Sequence, residues 1–283
     1  MTTIHARVAA AREQLRAAGI SSDEADIDAR LLAAHVLGWT TERYFTDSVE
    51  APPHGFDSQF DALVARRIAR EPFAYIVGHE EFWGLEIIVS PAVLIPRPET
   101  ELIVEAATEL IARDSHAAVA DVGTGSGCLA AAIARERPHV TIVATDVSPA
   151  ALEIAQRNAE RLDVAGRITF RCTDLLDGIG DRFDLIVSNP PYVRDRDHAG
   201  IQPEVRFEPA EALYAGDDGL DLVRRLILQA QDRLKPGGAL IFEFGFWQAH
   251  TVSELISAAA GLKMVALRDD LQGIPRIAIA QKN

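Results

Sequence analysis

Two short runs in this sequence have the residue types and spacing of a reaction centre. The first is Asn189-Pro190-Pro191-Tyr192, placed directly after a predicted strand at Asp184–Ser188. Two consecutive prolines stiffen the backbone there. An asparagine oxygen and the Pro190 carbonyl then offer two fixed acceptors. A planar nitrogen, in an amide or in the exocyclic amine of a base, is a poor nucleophile because its lone pair is delocalised. Binding both of its N–H bonds through Asn189 and Pro190 would hold it and favour the transition-state geometry over the planar ground state. Tyr192 can pack on the flat face of the acceptor group. Asn189, Pro190 and Tyr192 are therefore the candidate catalytic residues, and with Pro191 the candidate substrate-binding ones. No strong base is needed before attack, because the nitrogen becomes acidic once alkylated. Glutamine amide, adenine, cytosine and guanine amines all remain open as acceptors. A strand-ending turn closed by an Asx-type bond is the plain structural alternative.

The second run is Asp121-Val122-Gly123-Thr124-Gly125-Ser126-Gly127, between a predicted strand and a predicted helix. Glycine is needed where a ligand must approach the backbone closely. A helix N-terminus alone would favour an anion. The spacing G-x-G-x-G after an acid differs from the dinucleotide fingerprint, and no Walker lysine follows, which excludes a P-loop. Asp146 ends the next predicted strand, and a carboxylate there can accept both hydroxyls of a ribose. Together these residues imply a nucleoside-bearing ligand at the C-terminal edge of a sheet. The alternative is a tight strand–helix turn with no ligand.

The elements that must position these runs fall into three parts. Residues 1–72 are Ala-rich and charged and predict a small helical bundle. Ile4, Val8, Ala11, Leu15 and Ala18 recur at helical spacing before Gly19, and Ser21 with Glu24 forms a capping box for a second helix. A short helix near Thr41–Thr46 and an amphipathic one over Asp57–Arg70 follow. Residues 73–96 predict a β-hairpin linker around Trp83-Gly84. Residues 97–283 alternate strands and helices: strands at Ala117–Asp121, Val140–Thr145, Ile168–Arg171, Asp184–Ser188 and Ala239–Phe244, then two strands, Leu262–Leu267 and Ile274–Ala280, with no helix between them. This is the pattern of a doubly wound, mostly parallel α/β sheet of seven strands, with an antiparallel pair at its edge. Pro236-Gly237-Gly238 predicts a turn.

The chain has 283 residues, 48 % of them hydrophobic, enough for a sizeable core. Its net charge of −14 repels a phosphate backbone and an anionic membrane surface. Neither direct nucleic-acid binding nor membrane binding is expected. No apolar run approaches the ~18–20 residues of a spanning helix. Charges at Arg7, Arg12, Glu13 and Arg16 exclude a signal peptide. Cys128 and Cys172 are the only cysteines and form no CxxC pair, which fits a reducing cytoplasm. The eight histidines have no ligand spacing, so no metal is expected. A cytoplasmic monomer is the expectation.

The acid–glycine run and Asp146 resemble the S-adenosylmethionine site of class I methyltransferases over residues 100–283. By that resemblance Gly123 to Gly127 pass under the methionine and ribose, Asp146 holds the ribose, and Asp174 and Leu175 flank the adenine. The implied cofactor set is Asp121, Gly123, Thr124, Gly125, Ser126, Gly127, Asp146, Asp174, Leu175 and Asn189. Nearly the whole chain is similar to the HemK-type glutamine methyltransferases of peptide chain release factors. Glu81-Phe82-Trp83-Gly84-Leu85, Arg97-Pro98-Glu99-Thr100-Glu101, Val205-Arg206-Phe207-Glu208-Pro209 and Leu234-Lys235-Pro236-Gly237-Gly238 with Glu243, Gly245 and Gln248 carry the likeness, together with Asn189-Pro190-Pro191-Tyr192. The resemblance implies methylation of the amide nitrogen of the glutamine in the Gly-Gly-Gln loop of class 1 release factors, with the N-terminal bundle as the docking element. An N-methyltransferase acting on an exocyclic amine of a nucleic-acid base is the competing reading, and a non-catalytic cofactor-binding protein a third. Arg97, Glu99 and Thr100 stand between lining the site and capping a helix. Arg206 and Glu208 stand between a lid and a solvated loop.

Overall fold

The computed structural model describes residues 3–283. The chain forms two compact units. One contains the chain up to Gly78 together with Gln202–Phe207, and the other contains His79–Ile201 and Glu208–Asn283.

The first unit is helical: α1 (Ile4–Ala17), α2 (Ser22–Leu37), α3 (Thr41–Asp47), α4 (Phe56–Ile68) and α5 (Phe73–Val77). The first three of these helices start where a side chain serves an orphan N–H group. Thr3 Oγ1 accepts from Ala6 N at 3.1 Å, and Ser21 Oγ both accepts from Glu24 N and donates to the Glu24 carboxylate. The i, i+4 rows of α1 deliver Ile4, Val8, Ala11 and Leu15 to the core. There they meet Leu32 and the stacked rings of Phe56 and Phe60. One charge cluster is buried here. Arg67 donates through Nε to Asp28 at 2.7 Å and through Nη1 to Glu204 at 2.9 Å, and Arg70 Nη2 donates to Glu204 at 2.8 Å. Glu204 thus anchors the 202–207 segment in this unit.

The second unit opens with a hairpin of β1 (His79–Phe82) and β2 (Leu85–Ile88), shorter than the sequence predicts, because residues 73–77 are helical. Both turn residues, Trp83 and Gly84, have positive φ, as a two-residue hairpin turn requires. Trp83 tolerates this because it is held at both ends: its N–H donates to Glu101 and its indole to Glu136.

Then follow α6 (Glu101–Leu110), β3 (Ala118–Val122), α7 (Cys128–Glu136), β4 (Thr141–Asp146), α8 (Pro149–Arg161), β5 (Ile168–Cys172), β6 (Phe183–Ser188), α9 (Asp221–Arg233), β7 (Leu234–Glu243), α10 (Ala249–Ala258), β8 (Leu262–Asp269) and β9 (Pro275–Lys282). The seven strands order as β5-β4-β3-β6-β7-β9-β8. Every pairing is parallel except those of β9, which runs antiparallel between β7 and β8, leaving β8 at the edge. The central strands β3 and β6 are buried on both faces, and so read as continuous apolar runs, whereas the edge strands β5 and β8 are partly exposed. Pro236-Gly237-Gly238 is not a separate turn. It lies inside β7, where the pairing with β6 jumps from Phe183↔Leu234 to Leu185↔Ala239. The sheet reverses its winding between β3 and β6, which pair in register from Val119↔Leu185 to Val122↔Ser188. In doubly wound sheets, ligands bind outside the carboxyl ends of the strands at such a point.

Arg67 is 4 % exposed, whereas Arg7, paired with Asp57 and Asp61, lies at the surface. Removing a buried partner leaves an uncompensated charge; removing an exposed one does not. Arg67→Ala should lower stability by about 3–5 kcal/mol and Arg7→Ala by under about 1 kcal/mol. Urea unfolding followed by far-UV circular dichroism measures both.

Candidate active site

The carboxyl end of β3 carries the glycine turn, and Asp121 holds the turn from beneath. Its side chain is fully buried, and Oδ2 accepts from Thr124 Oγ1 at 2.6 Å and from Ala130 N at 3.1 Å. One carboxylate oxygen thereby ties the turn to the first turn of α7. Burial pushes the Asp121 carboxyl up to about 6, against the pull of those two bonds. Its other oxygen, Oδ1, is buried without a partner.

The three glycines serve different ends. All have positive φ. A Cβ added at Gly123 or Gly125 would meet no atom within 4 Å, and both residues line a cavity. A Cβ at Gly127 would stand 2.9 Å from Ala155 Cβ and 3.0 Å from its Cα. Gly127 is therefore required by the packing of α7 on α8 and not by approach to the cavity. Asn158 of α8 completes the support. Buried, it donates to Ser126 O at 2.8 Å and Ile88 O at 3.0 Å and accepts from Ile88 N at 2.8 Å.

At the end of β4, Asp146 accepts from Gly125 N through Oδ2 and from Ser148 N through Oδ1, both at 2.9 Å. Each oxygen keeps a lone pair for a further donor. Burial raises its pKa despite the backbone bonds. Beyond β5, Asp174 accepts from Arg225 at 2.7 Å, and Leu175 has a positive φ of 49° that turns the chain along the cavity wall.

Asn189 stands beside this turn because Ser188 is the register partner of Val122, and Ser188 Oγ donates to Val122 O at 2.7 Å. Asn189 Nδ2 donates to Thr100 Oγ1 at 2.9 Å, and Thr100 Oγ1 donates to Glu243 Oε2 at 2.6 Å. Thr100 immediately precedes α6, in the N-cap position, but its hydroxyl makes no capping bond. The Tyr192 phenol bonds the same Glu243 carboxylate, and burial pushes that phenol's pKa up. The Tyr192 carbonyl is fixed by Gln248 Nε2 at 3.2 Å.

The cavity between these ends measures about 1020 Å³, its open mouth included. It brings together Gly123, Thr124, Gly125, Ser126, Asp146, Asp174, Leu175, Asn189, Pro190 and Pro191. Asp121, Gly127 and Tyr192 stand off its wall: the first two support the turn, and the third faces Glu243. Residues that the sequence left without a role also line it, among them Leu94, Pro96, Glu211 and Ala212. Glu211 and Ala212 belong to the long loop over residues 193–217, which is anchored by Glu208, buried rather than solvated. Glu208 accepts from Arg97 at 2.5 Å and from Ile95 N at 3.4 Å. Among the described residues, no group of three or more His, Cys, Asp or Glu could hold a metal ion, and no helix is long and apolar enough to cross a membrane.

The glycine cradle and the two free lone pairs of Asp146 fit an adenosyl group carrying a methionine tail. Residues 99–215 match the Methyltransferase small domain, and residues 8–78 match the PrmC N-terminal domain. A release factor glutamine methyltransferase of Cereibacter sphaeroides is 42 % identical over 96 % of this chain and 96 % of its own length. One from Koribacter versatilis is 46 % identical over 80 % of each. This chain belongs to the release factor glutamine methyltransferase family. Its fold is that of class I methyltransferases: a methyltransferase structure from Pyrococcus furiosus superposes with a TM-score of 0.53 at 20 % identity, covering 80 % of this chain and 98 % of that one.

In this methyltransferase, the glycines divide into those that open the cavity and one that packs helices. Gly123→Ala should cost only the strain of a left-handed alanine, about 1–2 kcal/mol. Gly127→Ala adds a backbone clash and should cost about 2–4 kcal/mol. Thermal unfolding of the two variants measures the difference.

Proposed function

We propose that this methyltransferase acts on the side-chain amide nitrogen of a release factor glutamine, the one in the Gly-Gly-Gln loop of class 1 factors. The observation that carries the reading is the orientation of Asn189. Its NH₂ group is tied back to Thr100, so its oxygen is the atom left to face the cavity. An amide nitrogen brings two N–H donors, and Asn189 Oδ1 and the Pro190 carbonyl are two acceptors on a backbone stiffened by Pro190-Pro191. The names of the relatives and the net charge of −14, which disfavours a nucleic-acid acceptor, support glutamine over a base amine.

S-adenosylmethionine supplies an electrophilic methyl on a sulfonium. Gly123, Gly125 and Ser126 would cradle it, Asp146 would accept from the ribose hydroxyls, and Asp174 with Leu175 would flank the adenine. Asn189 and Pro190 hold the amide nitrogen with both N–H bonds engaged, which fixes the nitrogen's lone pair in one direction. Holding two reactants in such a geometry can contribute about 7–11 kcal/mol. The nitrogen keeps its protons until it has been alkylated, so the site needs acceptors rather than a strong base. Pro191 limits movement of the acceptor, and Tyr192 holds the turn through Glu243. The N-terminal bundle is the docking element for the body of the release factor.

The test is incubation with S-adenosylmethionine and an unmethylated class 1 release factor, followed by peptide mass spectrometry. One added methyl group on the Gly-Gly-Gln glutamine is expected. Asn189→Ala should lower turnover about 10²–10³-fold, the scale of losing one positioned polar contact, with cofactor affinity kept. Asp146→Ala should instead weaken cofactor affinity, read by calorimetry. Methylation of oligonucleotides but not of release factor would overturn the reading.

A further inference from the structure

Asn189 can serve as an acceptor only while its amide is turned one way round. Rotating the amide by half a turn exchanges oxygen for NH₂ and leaves shape and volume nearly unchanged, so packing alone holds it weakly. The contact that distinguishes the two orientations is the bond to Thr100 Oγ1 at 2.9 Å. A threonine hydroxyl has one proton and can either donate to Asn189 or accept from it. Which it does depends on the next group, Glu243, whose Oε2 lies 2.6 Å away.

We propose that Glu243 is a positioning residue that sets the polarity of the Asn189 amide through the Thr100 hydroxyl, and that only its ionised form makes the site an acceptor. The inference rests on Asn189 accepting from the reacting nitrogen, as argued above. An ionised carboxylate accepts only. The Thr100 proton then points to Glu243, Thr100 accepts from Asn189 Nδ2, and Oδ1 faces the cavity. A protonated Glu243 can donate to Thr100. The Thr100 proton is then released toward Asn189, which turns its oxygen to Thr100 and its NH₂ to the cavity. An NH₂ group there opposes the N–H bonds of an incoming amide.

The surroundings poise this group near neutrality. Glu243 is 2 % exposed. Burial raises its carboxyl to about 7, the bonds from Thr100 and Tyr192 pull it down, Glu99 raises it, and Arg276 lowers it. Arg276 of β9 is shared, at 2.8 Å from Asp270 and 3.8 Å from Glu99, so its charge compensates Glu243 only in part. Arg97 is the remaining charge beside Tyr192. The Glu243 carboxyl accepts from the Thr100 hydroxyl and bonds the Tyr192 phenol, so that one buried group meets both sides of the Asn189–Tyr192 motif.

Two readouts test this. In the first, kcat on a release factor should rise about tenfold per pH unit below pH 7 and level off above it, as for a single essential ionised group. Glu243→Gln should abolish that limb and lower kcat at least about tenfold, with cofactor affinity unchanged. Thr100→Val should do the same, and Thr100→Ser should restore both rate and limb. Glu99→Gln should move the limb to lower pH. In the second, which needs no acceptor, the side-chain amide signals of Asn189 in ¹⁵N NMR should titrate near pH 7 in the wild type and stay fixed in Glu243→Gln. An Asn189 signal insensitive to pH in the wild type overturns the proposal whatever the activity. So does a limb that survives in Glu243→Gln. Absence of glutamine methylation by the wild type with a normal Asn189 titration would overturn the acceptor assignment and leave the positioning role standing.

Discussion

The site depends on two parallel strand ends lying side by side. β3 and β6 are neighbours although they are far apart in sequence, because the winding of the sheet reverses between them. Their register places Val122 against Ser188, and one hydroxyl bond locks the pair at its last residues. The glycine turn leaves from one end and Asn189 from the other. On the proposed roles of these residues, a single strand pairing sets both the cofactor side and the acceptor side of the transfer. A slip of that register would separate them, and would turn every buried side chain of β6 to the wrong face.

Around that pairing, polar groups have been buried at a cost to stability. Asp121 and Glu243 are both fully enclosed carboxyls whose pKa values burial has raised, to about 6 and about 7. A carboxyl raised in the folded state binds more protons there than in the unfolded chain. Its contribution to stability is therefore present at low pH and lost as pH rises from the unfolded value through the folded one. For Glu243 that window runs from 4.5 to about 7, and the loss across it is roughly 3 kcal/mol at 1.36 kcal/mol per unit. Apolar residues of similar volume would avoid the loss. Asp121 is retained because it ties the glycine turn to α7, and Glu243 because it faces the hydroxyl that orients Asn189. Binding geometry is held here at the expense of fold stability, as expected at functional sites.

Residues that act through their own backbone or immediate neighbours were legible in the sequence. Gly123 and Gly125, Asp146 at a strand end, and Asn189-Pro190-Pro191 announce themselves by type and spacing, and the strand–helix alternation gives the sheet. Residues that act through partners distant in sequence were not. Asn158 looks like any helical asparagine until Ile88 and Ser126 are brought to it. Glu243 ends an apolar strand and shows in the sequence only as part of the family likeness, and its role appears only when the entry to α6 packs on β7 and puts Thr100 beside it. Glu204 carries no pattern, yet two arginines of the helical unit hold it. Gly127 was legible as a glycine but not for its reason, since its neighbour Ala155 belongs to the next helix. Pro236-Gly237-Gly238 has turn composition, and it is taken up as an irregularity inside β7, where the pairing with β6 skips residues 235–238.

The run Arg97-Pro98-Glu99-Thr100-Glu101 shows how such partners accumulate in one place. Its sequence left capping and lining as equal readings; Thr100 does line the cavity and caps nothing, and the structure adds a bracing role for the run. Arg97 holds Glu208 and with it the loop section that walls the cavity. Glu99 faces Arg276 of β9. Thr100 joins Asn189 to Glu243, and Glu101 accepts from the strained Trp83 at the hairpin turn. Four polar side chains within five residues thus tie the long loop, the last strand, the acceptor motif and the hairpin to one short helical entry. Such a segment cannot exchange one of these residues freely, because each answers to a different element. The same density holds Thr100 in place from both sides, and with it the hydroxyl that meets Asn189 and Glu243.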